Sequence, residues 1–177
     1  TLSLHDALPI YKQMKYILET KRLKLRELDL IDAKDFYDLN SNPNVIKYTG
    51  DSAFKSIDEA KQFLENYQDY KLNGYGRWAV ILKETNQFIG WRVLKLDDKE
   101  TDIGFRFFEE DWNKGYATES AIACVDYGFE ELKLRRIIGR AMKKNVWSIR
   151  VLEKIGLQYE RDIEFDGCEG AIYKVEK

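Results

Sequence analysis

Three strand-like runs follow one another closely in the middle of the chain, at 77–83, 87–96 and 101–107. Each run is rich in the β-branched and aromatic residues that favour extended backbone. Only the short polar segments 84–86 and 97–99 separate them. Connections of this length cannot carry the crossover that parallel neighbours require, so the pattern predicts an antiparallel meander.

Helical and extended segments flank this meander, and their order predicts a mixed α+β domain. The signals are helical spacing of apolar residues, an S-x-x-E capping pattern at Ser56, glycines at helix ends and the hairpin dipeptide Asp166-Gly167. The predicted flanking elements are a strand over 20–28, a helix over 29–39, a turn or helix start at 42–44, a helix from Ser56 to about Gly74, a helix over 116–131, a strand over 136–141, a helix from Asn145 to Gly156, and strands over 157–165 and 171–175.

The composition narrows the class of protein. At 177 residues with a formal net charge of −2, the chain has the length of about one domain and no excess of basic residues. Two cysteines, and no apolar run near the roughly 20 residues of a membrane span, indicate a reduced, cytoplasmic protein. The single histidine, His5, argues against histidine-based metal sites. We therefore expect no nucleic-acid partner, no membrane partner and no metal.

Residues 1–13 are set apart from the fold prediction. The opening string TLSLHDALPI has no initiator Met, no basic segment and no small-residue cleavage site, so it does not match a signal peptide. Met14 is followed at once by patterned sequence. The interpretation is a non-native or disordered leader over 1–13 and one folded domain over 14–177.

A strand, a glycine-bearing turn and a helix start follow one another over 101–119. The first turn of a helix has free backbone N–H groups and the positive end of the helix dipole, which together suit a diphosphate. Gly115 allows the backbone to come close to such a group, and Ala117 is small enough not to obstruct it. An ordinary turn is the alternative, because a short glycine motif is weak evidence alone.

A second segment runs from Asn145 to Gly156 and reads as a helix with Asn145 as its N-cap. Ser148 lies in its first turn. Taken alone, this segment is explained as a capped helix with an apolar face.

Together, these two segments resemble the GNAT superfamily of acetyl-CoA-dependent N-acetyltransferases. The similarity extends to L-E-T-K-R-L-K-L-R at 18–26, to Q-F-I-G at 87–90 and to S-I-R-V-L-E-K-I-G at 148–156. The phosphate loop reads W-x-x-G-x-A, with Trp112 where the superfamily usually has Arg or Gln. With Trp at that position, the loop resembles that of the Rim-type branch, which contains the ribosomal-protein N-terminal acetyltransferases.

The resemblance implies a fold and a cosubstrate. The fold would be a mixed, mostly antiparallel sheet with a central splayed pair of parallel strands, 101–108 and 136–141, flanked by helices. The pantetheine arm of acetyl-CoA would lie in the gap between those strands, and its diphosphate would lie on the helix start. The implied cofactor-binding residues are Phe107, Phe108, Asn113, Lys114, Gly115, Tyr116, Ala117, Thr118 and Asn145.

The resemblance also implies direct acetyl transfer to a primary amine, on a protein N-terminus or a small molecule. Asp102 stands where family members often place a carboxylate base, and Ser148 where related enzymes place a general acid. Tyr159 is a second candidate for the acid. A catalytically inactive acyl-CoA-binding sensor or partner domain is the alternative function. We expect a monomer or a homodimer.

Overall fold

A computed structural model describes residues 15–165 and 167–177, and over these ranges the chain forms eight strands and six α-helices. The strands are β1 (Tyr16–Glu19), β2 (Leu23–Glu27), β3 (Arg77–Leu82), β4 (Phe88–Asp97), β5 (Glu100–Phe107), β6 (Arg136–Met142), β7 (Gln158–Phe165) and β8 (Cys168–Glu176). The helices are α1 (Ala33–Ser41), α2 (Pro43–Ile46), α3 (Ile57–Glu65), α4 (Asp69–Asn73), α5 (Tyr116–Glu130) and α6 (Val146–Lys154), with 3₁₀ turns at Leu30–Asp32 and Glu109–Asp111.

All described strands form one sheet in the order β1-β2-β3-β4-β5-β6-β8-β7. Each neighbouring pair is antiparallel except β5 and β6, which are parallel. The helix α5 makes the connection between these two strands, as a parallel pair requires. The predicted α+β class, the central meander and the parallel pair are therefore confirmed.

Side chains of the sheet alternate between two helical layers. On one face, α5 and α6 pack over a core that includes Trp78, Leu94, Ile103 and Phe107. On the other face, α1 and α3 pack through Phe36, Leu39 and Ala60 against Trp91 and Val93. Because successive residues of a strand point to opposite faces, the even-numbered residues of β5 belong to the α1–α3 face and the odd-numbered residues to the α5–α6 face.

Two predictions about the amino-terminal half were wrong. The sequence prediction had no strand before residue 20, but Tyr16–Glu19 forms β1, whose four residues are too few to show an alternating pattern. The single helix predicted from Ser56 to about Gly74 is two helices, α3 and α4. Tyr67 lies in the break, and its hydroxyl accepts the backbone N–H of Arg77 at 2.9 Å, which fixes the link against the start of β3.

Other boundaries follow the sequence prediction closely. The Ser56 hydroxyl accepts the backbone N–H of Glu59 at 3.2 Å, so the predicted helix cap is confirmed. Asn42 caps α2 through its side chain, which makes residues 42–44 a helix start. The proposed leader over 1–13 lies outside the residues that the structure describes, as does His5.

Gly90 lets β4 pass very close to β5. A Cβ atom built on Gly90 would lie 2.2 Å from the backbone oxygen of Arg106 and 2.9 Å from the Cα of Phe107. Both contacts are with backbone, which cannot rotate out of the way. This glycine therefore allows the two strands to pair at the point where Phe107 reaches the core.

We expect Gly90→Ala to destabilise the fold by about 1–3 kcal/mol, because the strands must separate to relieve the overlap. The measurement is chemical denaturation of both proteins. Gly104→Ala is the matched control in the same strand pair, since its added Cβ would meet only the side-chain atom Val93 Cγ1, at 3.1 Å. Equal midpoints for wild type and Gly90→Ala would contradict the close approach.

Candidate active site

The parallel strands β5 and β6 are joined only briefly. Among the described residues their register contains one pair of Cα partners, Asp102 and Ile138. Two residues further along β6, the backbone N–H of Arg140 donates to Asp102 Oδ1 at 3.3 Å. A side-chain carboxylate thus lies across the strand junction, and beyond it the two strands diverge.

A cavity of about 610 Å³ lies at this divergence. Its walls come from β5, the end of β6, the start of α6, and α2 with the segment that follows it, so both faces of the sheet contribute to it. Residues from the α1–α3 face and residues from the α5–α6 face meet in it. They include Asn44, Tyr48, Thr49, Trp91, Lys95, Asp102, Gly104, Phe105, Arg106, Phe107, Asn113, Arg140, Asn145, Trp147 and Ser148.

Asp102 is the one carboxylate among the described residues that line this cavity. Its side chain keeps 23% exposure, and the guanidinium of Arg140 lies 3.4 Å from Oδ2. Burial raises the pKa of Asp102 to about 6, although the charge and the backbone N–H of Arg140 oppose that shift. A carboxyl with this pKa is mostly ionised at neutral pH and is basic enough to accept a proton.

Ser148 lines the same cavity from the first turn of α6. Its backbone N–H donates to Asn145 Oδ1 at 3.2 Å, so Asn145 caps the helix as the sequence predicts. The Ser148 hydroxyl has no hydrogen-bond partner within the described part of the chain. It is therefore available to a molecule in the cavity, which Asp102 lines from β5 and Ser148 lines from α6.

The start of α5 provides uncapped backbone donors. Gly115 precedes the helix with φ of +83°, and no side chain caps it. The first backbone bond within the helix runs from the N–H of Glu119 to the oxygen of Gly115 at 3.0 Å, which leaves the N–H groups of Tyr116, Ala117 and Thr118 without helical acceptors. These three residues line a second cavity of about 280 Å³.

The two cavities are neighbours. Phe107, Asn113 and Trp147 line both of them. The Trp147 ring packs against Phe105 at 5.3 Å and against Trp112 at 5.9 Å between ring centroids. One elongated molecule could therefore extend from the start of α5, past Trp147, to Asp102 and Ser148.

Arg22 and Glu119 hold the loop before α5 without lining either cavity. Glu119 accepts the hydroxyl of Thr20 at 2.6 Å and pairs with Arg22 Nε at 2.6 Å. Arg22 Nη1 donates to the backbone oxygen of Lys114 at 2.9 Å, and its Cζ lies 4.5 Å from the ring centre of Tyr116. The loop is thus fixed by a turn between β1 and β2, and its open side is left for a ligand.

Most of the sequence-predicted site residues lie together. Asp102, Ser148 and Asn145 line the larger cavity, Gly115, Tyr116, Ala117 and Thr118 line the smaller one, and Phe107 and Asn113 line both. The backbone N–H of Phe108 donates to Ile89 at 3.1 Å, so the polar groups of Phe107 point the other way, towards the gap. The Phe107 oxygen accepts the indole N–H of Trp112 at 2.8 Å.

Three candidates lie away from these cavities. Phe108 uses its N–H in the sheet and packs its ring on Phe88. The ammonium of Lys114 lies 3.3 Å from Asp111 and does not line either space. Tyr159 is 56% exposed, and its hydroxyl donates to Asp162 at 3.0 Å on the outer strand β7.

Sequence reasoning missed Arg150 and Lys154, which line the smaller cavity together with Asp111 and Trp147. Their spacing along α6, at i+3 and i+7 from Trp147, places them on one side of the helix. The sequence signal was present, but the helix was interpreted by its apolar positions alone. Two cations beside free helix N–H groups make this end of the site suited to phosphate oxygens.

The described residues give little support to catalysis by a cysteine thiol or by a bound metal ion. Cys124 is fully buried, which raises the pKa of its thiol to about 12, and Cys168 is exposed outside both cavities. No group of three or more His, Cys, Asp or Glu side chains in the described ranges could hold a metal ion. Within those ranges, no helix has the length and apolar content to cross a membrane.

Comparison with known proteins agrees with this geometry. The sequence matches the acetyltransferase (GNAT) domain family over residues 22–158. It is 34% identical over 154 residues to the uncharacterized N-acetyltransferase p20 of Bacillus licheniformis, covering 83% of this chain and 86% of that protein.

Two solved structures have the same fold. The GNAT-family acetyltransferase of Bacillus anthracis superposes with a TM-score of 0.79 at 29% identity, covering 92% of this chain and 97% of that one. The spermidine N-acetyltransferase of Vibrio cholerae, solved with CoA and spermine, gives a TM-score of 0.76 at 20% identity over 89% of this chain and 96% of that one. The family match, the sequence relative and the fold agree with the cleft between β5 and β6, and the chain belongs to the GNAT family of N-acetyltransferases.

Proposed function

We propose that this enzyme binds acetyl-CoA along the two neighbouring cavities and transfers its acetyl group directly to a primary amine, on a protein N-terminus or a small molecule. The observation that carries the proposal is the gap between β5 and β6, which continues from Asp102 and Ser148 to the uncapped start of α5. Acetyl-CoA is the cosubstrate typical of the family.

The residues present fit the parts of that molecule. The backbone N–H groups of 116–118 and the cations Arg150 and Lys154 suit its phosphates. The backbone oxygen of Phe107 accepts the Trp112 indole N–H, so the Phe107 N–H is the group left to bind an amide of the pantetheine arm, in the manner of an added strand. Asn145 Oδ1 is used by the helix cap, so its amide N–H groups are the part left for the arm.

The larger cavity brings together the groups that acetyl transfer needs. Bound acetyl-CoA supplies a thioester carbonyl. Asp102, directly or through a water, accepts the proton that the substrate ammonium must lose before its nitrogen attacks. An N–C bond then forms, the nitrogen loses its extra proton to solvent, and the C–S bond breaks as the carbonyl re-forms. Ser148 hydrogen-bonds the departing thiolate, or gives it a proton and regains one from solvent. No covalent acyl-enzyme is required, in keeping with the position of both cysteines.

Finer assignments also belong to this proposal. The W-x-x-G-x-A loop supports a place in the Rim-type branch, whose acceptors include protein N-termini. A polyamine acceptor is the alternative suggested by the name of the Vibrio cholerae enzyme. Both described cysteines are free, which supports a reduced, cytoplasmic setting.

Gly115→Glu should weaken acetyl-CoA binding by about 100-fold or more, because a side chain at this positive φ is strained and its Cβ would lie 3.3 Å from Arg22 Nη2, which displaces the loop that presents the N–H groups of 116–118. Isothermal titration with acetyl-CoA gives the affinity. Gly156→Glu is the matched control: Gly156 also has positive φ, at +93°, but a Cβ there meets no atom within 4 Å. Equal affinities for the two variants would refute the phosphate assignment.

Replacing Asp102 should change the pH dependence of the reaction. In the wild type, kcat/KM should rise through pH about 6 as the Asp102 carboxyl loses its proton, because only the ionised form accepts one from the ammonium. Asp102→Asn should lower kcat by about 10²- to 10⁴-fold and remove that step from the profile. A variant that keeps both rate and step would exclude Asp102 as the base.

The same substitution has a stability signature of known sign. The folded-state pKa of Asp102 lies above its unfolded value, so folding favours the protonated carboxyl, and the wild type loses stability as pH rises from about 4 to about 6. Relative to Asp102→Asn, this loss should be on the order of 1–2 kcal/mol. Urea denaturation at pH 4 and pH 7 measures it, and a constant difference between the proteins would contradict the raised pKa.

Ser148→Ala should slow turnover by about 10-fold or more while acetyl-CoA affinity changes by less than about twofold. The reason is that the hydroxyl lines the cavity with no partner among residues 15–165 and 167–177, whereas the helix cap uses only the Ser148 backbone N–H. Thiol release and calorimetry give the two quantities. Unchanged turnover would reduce Ser148 to a residue of the helix start.

A further inference from the structure

The larger cavity, on the side of the sheet that α2 covers, has an excess of positive charge. Lys95, Arg106 and Arg140 line the cavity, and Asp102 is the one carboxylate among the described lining residues. Arg140 is already paired with Asp97 at 2.8 Å, beside Asp102. Arg106 lies four residues along β5 from Asp102 and on the same face of the sheet.

Arg106 is held in a fixed position. It is 9% exposed, its Nη1 donates to Asn40 Oδ1 at 2.7 Å, and its Cζ lies 5.0 Å from the ring centre of Trp91. Asn40 is itself fixed, because it accepts the Trp91 indole N–H at 3.2 Å and donates to the Phe36 oxygen at 2.6 Å. A guanidinium held this way needs little ordering when it binds a ligand.

The charge of Arg106 is only partly balanced. Its Nη2 pairs with Asp51, whose side chain is 59% exposed on the segment between α2 and α3. A second guanidinium, that of Arg77, stacks on the same Trp91 at 4.2 Å and has no ion-pair partner among the described residues. Arg77 is buried and does not line the cavity, but its charge adds to that of Arg106, with one exposed carboxylate beside them, so a further carboxylate near Arg106 would be attracted there.

We propose that the acceptor is a primary amine that also carries a carboxylate, and that Arg106 binds this carboxylate and selects it over an amide or a second amine. The inference rests on the proposed acetyl transfer. The amine of the acceptor would lie near Asp102 and the carboxylate of the acceptor near Arg106.

Gly104 lies between these two residues on the same face and leaves the surface of β5 open. Four residues of a strand span about 13 Å between Cα atoms, so the substrate lies extended across Gly104. The like charges of Arg106 and Lys95 oppose the second ammonium of a diamine. Asp51 competes with the substrate for Arg106.

The first experiment measures kcat/KM for matched acceptors, expressed per unprotonated amine. One set is δ-aminovaleric acid, its amide and the diamine cadaverine; the other is the longer 8-aminooctanoic acid and its amide. We expect at least one acid to exceed its amide by about 10- to 100-fold, the range for a charged hydrogen bond, and cadaverine to be poor. The better of the two acids reports the distance between amine and carboxylate. Amides or cadaverine equal to or better than both acids would overturn the inference.

The second experiment tests the residue. Arg106→Gln should lower kcat/KM for the preferred acid by about 10- to 100-fold, mainly through KM, and leave the amide unchanged. Arg106→Lys should recover part of the loss. Arg161→Gln, which removes an exposed guanidinium on β7, is the matched control and should have no effect. Equal losses for acid and amide would indicate a purely structural role and overturn the assignment.

A third variant avoids any effect on the core. Asp51 is exposed, so Asp51→Asn should fold normally and lower KM for the acid by about threefold, because it removes the competing carboxylate. An unchanged or raised KM would count against the proposal. Measuring the affinity of the wild type for acetyl-CoA separates this inference from the proposed function. If the wild type does not bind acetyl-CoA, the proposed function is wrong. If it binds acetyl-CoA but prefers cadaverine, only this inference is wrong.

Discussion

The hydrogen bond from the Arg140 backbone N–H to the Asp102 carboxylate is the contact on which the rest of the site depends. It occupies the place where the parallel pairing of β5 and β6 ends, and it puts a carboxyl group at the bottom of the opening. Burial of the carboxyl group at this position also raises the pKa of Asp102. One residue thus ends the strand pairing and supplies a group able to accept a proton.

The other end of the site, at the start of α5, is held by residues that are distant from it in sequence. Thr20 and Arg22 lie at the turn between β1 and β2, yet they bind Glu119 and the backbone of Lys114 on α5 and its preceding loop. Because these contacts fix the loop, the N–H groups at the start of α5 keep their orientation although no side chain caps the helix. A preorganised donor set of this kind binds an anion at low entropic cost.

Sequence reasoning identified what depends on local pattern. The β4–β5 meander, the start of α5 at Gly115 and the Asn145 cap were predicted because turn residues, glycines and capping residues act within a few positions of themselves. Contacts across the sheet were not predictable this way. From sequence, Glu119 is explained by the helix dipole alone, and Arg150, Lys154 and Arg106 were assigned no role. Their roles depend on which strands and helices become neighbours, and spacing along the chain does not encode that.

A cavity lined from both faces of a sheet has a kinetic consequence for the proposed reaction. If thioester and amine enter from different faces, each can bind while the other is already in place. Direct transfer then requires both ligands at once and gives intersecting lines in double-reciprocal plots, in contrast to an enzyme that carries the acyl group on a cysteine. An inhibitor that joins the two ligands covalently would occupy the gap between β5 and β6, and its release would require these strands to move further apart.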